Sequence, residues 1–458
     1  MNDITAFFAF LKYCLGYKGD MSRVMAGMDW QELYSFASKQ ALLGLCFEGI
    51  ERLGEEYPEE LKQNPIEREL LMTWMGKAQQ IRRQNMKVNA VASKLFSMLR
   101  EDGMRCCVLK GQGNALMYPN PYSRTPGDID VWIDASRERI MEYAQKKFEL
   151  EDDIRLQHLE TSLDGVPVEL HFFPCSMNNP IYHARLQKWF RRNANLQCSH
   201  IVGMPDEAGN IAIPTTAFNV VYQLTHLYHH FFDEGIGMRQ IIDYFLVVND
   251  FSKNVFLNND LSNHPVNFSN HPVPLSKEGS TFSLSPSSSG SGDVTAPSRC
   301  SEPLRSKDGG PSKVSPDCAG WDRLAIEGDN SAGSTTVVTS SASTALVVVQ
   351  RELKYLGLWK FAGAVMYVLH EALGLPEEKM IAPMDEKRGK LLLAEILNGG
   401  NFGKHFTKYG HFTQQGMAKK YFLKIWRNMH FVRYYPAEAL SEPIFRTWHF
   451  FWRMKNKK

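Results

Sequence analysis

The chain has 458 residues, of which 43% are hydrophobic and 22% charged, and a net charge of +2. This is a globular composition long enough for two or three domains with ample core, and its near-neutral balance gives no whole-chain argument for a nucleic-acid partner. The eight cysteines are scattered, with no zinc-site or disulfide spacing, so a reducing cytoplasm is the natural reading. The apolar run from Ile4 to Leu15 lacks the basic start and cleavage pattern of a secretory leader, and no stretch approaches an uninterrupted apolar membrane span.

Residues 1–103 read as a helical region. Between Asp29 and Leu53 apolar residues recur at helical spacing, with Asp29 as N-cap. A longer helix runs from about Ile66 towards Arg100 on a stripe of Leu70, Leu71, Trp74, Ala78 and Ile81. Its Lys77, Arg82, Arg83 and Lys87 are read as a solvated outer face in preference to an anion-binding one.

Residues 104–200 read as a mixed region in the order strand, helix, strand, helix, strand, strand. Arg105 to Leu109 is an apolar strand that runs into Lys110-Gly111-Gln112-Gly113. A glycine turn leading into a short helix brings backbone amides towards an anion. After a loop comes Gly127-Asp128-Ile129-Asp130-Val131-Trp132-Ile133. Strand alternation places Asp128 and Asp130 on one face, roughly 7 Å apart at the backbone, and turns Ile129 and Val131 to the core. Ser136 caps the next helix, and Asp164-Gly165 marks a hairpin whose second strand, Val166 to Phe173, carries Glu169 between apolar neighbours. If the two acidic strands are neighbours, three carboxylates converge. Such a trio suits Mg²⁺, and a pair of such ions can clamp the attacking and leaving oxygens of a phosphoryl or nucleotidyl transfer. Three ionised carboxylates without metal repel, so their pKa values are expected to rise and removal of one charge to relieve the metal-free fold.

Residues 201–251 form the first part of a helical domain. His226 and His230 share a helix face without the Glu of a His-Glu-x-x-His metal motif. Gly235 and Gly237 break the helix, and Arg239 and Asp243 open another at the spacing of a surface ion pair. Residues 252–345, rich in Ser, Pro, Asn and Gly, read as a long disordered insert. Residues 346–458 form the second part of the helical domain. Its tail, through Lys419-Lys420-Tyr421 and Lys424-Ile425-Trp426-Arg427, reads as an amphipathic helix with aromatics inward in preference to a nucleic-acid or membrane surface.

Taken together, the glycine turn, Arg124, Asp128-Ile129-Asp130 and Glu169 resemble the DNA polymerase β-type nucleotidyltransferase superfamily, and more closely the bacterial group called uncharacterised nucleotidyltransferases. That group also tends to carry a helical His-x-x-x-His, then a basic residue and an Asp, which match His226, His230, Arg239 and Asp243. The resemblance implies an α+β fold, a small mixed-sheet core between N-terminal and C-terminal helical regions. It also implies nucleotide transfer from a nucleoside triphosphate to an acceptor hydroxyl, with one or, as expected here, two Mg²⁺ ions. Asp128, Asp130 and Glu169 would be the catalytic and metal-holding residues. Lys110, Gly111, Gln112, Gly113, Arg124, His226, His230, Arg239 and Asp243 would surround the nucleotide. Gln112 departs from the pattern, standing where the superfamily usually has Gly or Ser. The second reading is a catalytically weak nucleotide- or RNA-binding regulatory module on the same fold. The third is an enzyme that attaches a nucleotide to another protein. The acceptor, small molecule or protein, and the base are not legible in the sequence.

Overall fold

Capping and turn chemistry set many of the element boundaries in the computed structural model, which describes residues 3–150, 155–260, 341–405 and 417–456. Six helices come first: α1 (Asp3–Cys14), α2 (Ser22–Ala26), α3 (Trp30–Lys39), α4 (Leu43–Glu56), α5 (Pro58–Gln63) and α6 (Arg68–Glu101). Asp29 caps α3 by accepting a hydrogen bond from the Glu32 amide. The periodic stretch from Asp29 to Leu53 is two helices, because Ala41, at φ 58°, turns the chain between them. Apolar spacing continues across such a corner, which is why periodicity alone does not reveal it.

The mixed region follows as β1 (Cys106–Leu109), α7 (Gly111–Ala115), β2 (Ile129–Ile133), α8 (Arg137–Lys147), β3 (His158–Leu163) and β4 (Val166–His171). Ser136 caps α8 through the Arg139 amide. Asp164 and Gly165 both take positive φ, 49° and 70°, as the tight turn between β3 and β4 requires. The sheet order is β1-β2-β4-β3, with β2 and β4 parallel and the other pairs antiparallel. α9 (Pro180–Ser199) leads to a hairpin, β5 (Ile201–Gly203) and β6 (Asn210–Ala212), that the sequence reading did not anticipate. Then come α10 (Thr216–Asp233), α11 (Met238–Asp260), α12 (Ser341–Tyr355), α13 (Trp359–Leu373), α14 (Glu386–Gly399), α15 (Met417–Met429) and α16 (Pro436–Asn456). The architecture is a mostly helical α+β fold around a small mixed sheet.

Strand alternation divides the interior into two cores. Ile129, Val131, Ile133, Val168 and Leu170 face one core with Ile140 and Ala144 of α8 and Val88 to Leu99 of α6. Trp132, on the opposite face, joins the larger helical core and packs on Phe190 of α9 and Phe218 of α10. At 34 residues α6 is about 50 Å long. Its Leu70 and Trp74 enter the helical core while its C-terminal half supports the sheet. Lys77, Arg82, Arg83 and Lys87 lie on its exposed face.

The edges of the Ser-rich segment are helical: α11 continues to Asp260 and α12 begins at Ser341. Ser252 is buried and its hydroxyl donates to Val248 and Lys379 carbonyls. The remainder of the expected insert, 261–340, lies outside the described residues. No described helix is long and apolar enough to cross a membrane. The six described cysteines are buried free thiols.

Much of the described tail is internal support. Buried Arg427 donates to the Phe231 carbonyl (2.8 Å) and Asn428 to that of Phe232 (3.0 Å), capping the last turn of α10 with positive charge. Lys424 and Arg446 both pair with Asp233. In α16, Glu438 accepts the backbone amides of Asn178 and Asn179 (2.6 and 3.2 Å) ahead of α9. Burial raises its pKa from 4.5 to about 7, although those amides favour the charged form. The folded state therefore keeps a proton that the unfolded chain has lost, and stability falls as pH rises through that window. We expect this group to remove up to about 3 kcal/mol between the two pKa values. Glu438→Gln should flatten the decline relative to the parent in urea unfolding at a series of pH values.

Candidate active site

The end of β1 is the first positioning device. Leu109 pairs in register with Asp130 on antiparallel β2, so Lys110 emerges beside that acid. Its ammonium lies 3.1 Å from Asp130 Oδ2 and 2.7 Å from His226 Nε2. Lys110 takes φ 50° and ψ −125°, a conformation that side-chain-bearing residues rarely adopt and that costs about 1–3 kcal/mol. Gly111, at φ 31°, continues the reversal into α7. Gln112 points into the protein and donates to Asn89 Oδ1, and Gly113 packs beneath Ile213.

The second device is the parallel pairing of β2 and β4, which sets Asp130 and Glu169 opposite each other. Asp128 precedes β2 and is exposed at the cleft, while Asp130 is only 7% exposed. The loop ahead of Asp128 is held by Asn85 of α6, which donates to the Tyr122 and Arg124 carbonyls. Two histidines missed in the sequence complete this cluster. His171 Nε2 lies 2.9 Å from Asp130 Oδ1 and 3.1 Å from Glu169 Oε2. His158, the register partner of His171, has Nδ1 3.3 Å from Glu169 Oε2. The available signal was the Glu-x-His spacing of Glu169 and His171, which puts both on one strand face.

Asp128 and Asp130 face an open cleft with ≈ 540 Å³ of empty volume, counting the solvent at its mouth. Of the residues expected from the sequence, Lys110, Gly111, Arg124, Asp128, Asp130, His226, Arg239 and Asp243 line it. Glu169 stands behind Asp130. His230 stands behind His226, with Nε2 3.0 Å from His226 Nε2 and Nδ1 2.7 Å from Glu234. Phe402, also on the wall, comes from far along the chain and carried no sequence signal.

The profile described as uncharacterised nucleotidyltransferase matches residues 26–262. The chain belongs to that family. Comparison with curated proteins and with solved structures gives no match. The matched span runs from the end of α2 to just beyond α11, so it includes every cleft residue named above except Phe402.

The expected mutual repulsion of the acids holds at one of them. Asp128 is raised from 3.8 to about 6, chiefly by the charge on Asp130, then by the loss of water around its carboxyl within the cleft and by Glu169. Asp130 and Glu169 shift the other way. Burial opposes their ionisation, but Lys110 and His171 outweigh it at Asp130, and the hydrogen bond and charge of His171, with a smaller part from His158, do so at Glu169. Burial likewise opposes charge on His171, yet its bonds to the two carboxylates raise it to about 9. The site is therefore already part-neutralised by its own cations. This reverses the expectation that removing an acid relieves the metal-free protein. Asp130→Asn takes from Lys110 its paired carboxylate and from His171 one of its two, and should destabilise the protein by on the order of 2–3 kcal/mol in urea unfolding without metal.

Arg124 and Asp243 bind each other within the cleft wall. Asp243 does not pair with Arg239 as a surface couple. It accepts two parallel bonds from Arg124, from Nε at 2.9 Å and Nη2 at 2.8 Å, and one from the Tyr118 hydroxyl at 2.8 Å. Both partners of the ion pair are buried. Burial alone would raise Asp243, but the Arg124 charge holds it below the usual carboxylate range. This forked pair ties the loop before Asp128 to α11. Arg124→Ala would strand Asp243 and should cost about 3–5 kcal/mol, read as a lowered urea midpoint.

Arg239 is placed differently. It reaches the Thr125 carbonyl through Nη1 (2.9 Å), faces Phe402, and has a buried Nε without a hydrogen-bond partner on the cleft wall.

Proposed function

We propose that the protein transfers a nucleoside monophosphate from a nucleoside triphosphate to a hydroxyl of an acceptor. The observation that carries this reading is the in-register pairing of Asp130 with Glu169, with Asp128 on the same face at the mouth of a cation-lined cleft. The donor set fits Mg²⁺: it is all oxygen, and the raised Asp128 reports crowded negative charge that a cation relieves. Asp128 and Asp130 would hold two ions, with Glu169 completing one site. Bound there, Mg²⁺ would supply charge stabilisation to the attacking and leaving oxygens.

The chain's own residues account for the rest. Lys110 keeps its proton because the carboxylate charges around it outweigh its burial, so it offers a fixed positive charge to the phosphates. Arg239, tied to the Thr125 carbonyl through Nη1, has N–H groups left for a phosphate, whereas Arg124 gives Nε–H and an Nη2–H to Asp243 and acts by holding the loop. Of the two arginines expected around the nucleotide, Arg239 is the one we assign to the phosphates. His226 is buried beside Lys110 and held well below the usual histidine range, first by burial and then by the lysine charge. It stays neutral and accepts from the ammonium, fixing its direction. Gln112 contributes only backbone to the turn, its side chain being engaged by Asn89.

The test is incubation with each labelled triphosphate, Mg²⁺ and pooled small-molecule acceptors. Mg²⁺-dependent pyrophosphate release with label on an acceptor is expected, and Asp128→Asn should lower it on the order of 100-fold or more. Triphosphate binding without turnover would favour the regulatory reading, and label on the protein the protein-modifying one. Arg239→Ala should weaken triphosphate binding by about 1.5–3 kcal/mol in calorimetry, with the urea midpoint nearly unchanged.

A further inference from the structure

Behind the three acids lies a donor set that magnesium chemistry does not call for. Nδ1 of His158, a carboxylate oxygen of Glu169 and Nε2 of His171 all lie within 4.8 Å of one another. Around one four-coordinate ion with ligand bonds of about 2.0–2.1 Å, neighbouring donors stand about 3.3 Å apart. The observed separations from Glu169 Oε2 are 3.3 Å to His158 and 3.1 Å to His171.

His158 supplies the independent observation. Its residue is 8% exposed, and neither ring nitrogen makes a hydrogen bond. An imidazole carries at least one N–H, so hydrogen bonding leaves this buried ring unsatisfied at both ends. A neutral imidazole keeps a lone pair on one ring nitrogen, and that is what it offers an ion. Its far nitrogen, Nε2, lies 3.5 Å from Glu160 Oε1. A carboxylate behind the second nitrogen is the usual support for a metal-bound histidine.

We propose that His158, Glu169 and His171 form a second cation site that takes a first-row transition ion of the Zn²⁺, Mn²⁺ or Fe²⁺ class. Two imidazoles and one carboxylate favour such ions over Mg²⁺, and three protein ligands leave a position open to water. Glu169 is shared, since a carboxylate offers an oxygen to each of two cations. The proposal depends on Glu169 but not on nucleotide transfer. Two adjustments accompany binding: His171 releases to solvent the Nε2 proton it shares with Asp130 and Glu169, the ion taking its place as the positive charge beside them, and the Gln157 amide, whose Nε2 now faces His171 Nδ1 at 3.3 Å, must turn so that its oxygen accepts Nδ1–H.

The experiment uses the full chain, stripped with chelator and dialysed against Zn²⁺, Mn²⁺ or anaerobic Fe²⁺ in excess Mg²⁺, without nucleotide. One equivalent of at least one transition ion should be retained. His158→Gln should weaken it on the order of 100-fold, whereas Asp128→Asn should keep it while losing Mg²⁺-dependent triphosphate binding. A parent protein that keeps no transition ion, or a His158→Gln protein that binds as the parent does, overturns the proposal. Loss in Asp128→Asn with retention in His158→Gln also overturns it, by moving the ion to the three acids. Should His158→Gln not fold, Co²⁺ loaded into the parent decides: strong bands of nitrogen-coordinated, low-symmetry cobalt support the site, and the weak spectrum of six-coordinate cobalt in oxygen ligands refutes it. Transfer activity is read separately, so either reading can fail while the other stands.

Discussion

A carboxylate buried between two cations is the constraint on which this site depends. Asp130 sits in the interior because Lys110 and His171 reach it from opposite sides, and without them its desolvation would favour the protonated acid. The pairing also orders its neighbours. Lys110 is turned back over the sheet to make its contact, which carries it to His226 on α10. His171 is held on β4 so that it meets Glu169 as well. Asp128 is left as the acid whose charge is least compensated, and it faces the cleft.

The helical body acts on the site through a few buried polar contacts. α6 spans both cores, and its Asn85 fixes the chain before Asp128 by two carbonyls. Arg124 and Asp243 lock that loop to α11. Arg427 and Asn428 cap α10, the helix that presents His226. The cleft wall is therefore supported by segments as much as 196 residues apart, and each of these junctions is a hydrogen bond or ion pair in a desolvated setting.

The sheet and the three acids were legible because strand alternation is a local rule: Ile129 and Val131 had to be apolar if Asp128 and Asp130 faced the other way. The caps at Asp29 and Ser136 and the turn at Asp164-Gly165 were legible for the same reason. His158 and His171 were not, because their meaning depends on which strands pair and in what register. Arg239 and Asp243 showed a spacing that suggests a mutual pair, but a tertiary partner, Arg124, took the carboxylate. The corner at Ala41 was hidden by continuous apolar spacing. Phe402 reaches the cleft through the close approach of Gly237 to the Asn401 backbone, which no local pattern records.

The backbone at Lys110 carries a consequence for how this chain tolerates redesign. Glycine adopts that conformation without steric penalty, so a search for stabilising substitutions guided by backbone geometry alone would select it early. The relief would come at the position that supplies the ammonium between Asp130 and His226. Lys110 is thus a residue at which selection for persistence and selection for activity pull apart, and a sturdier chain obtained there would be an emptier one.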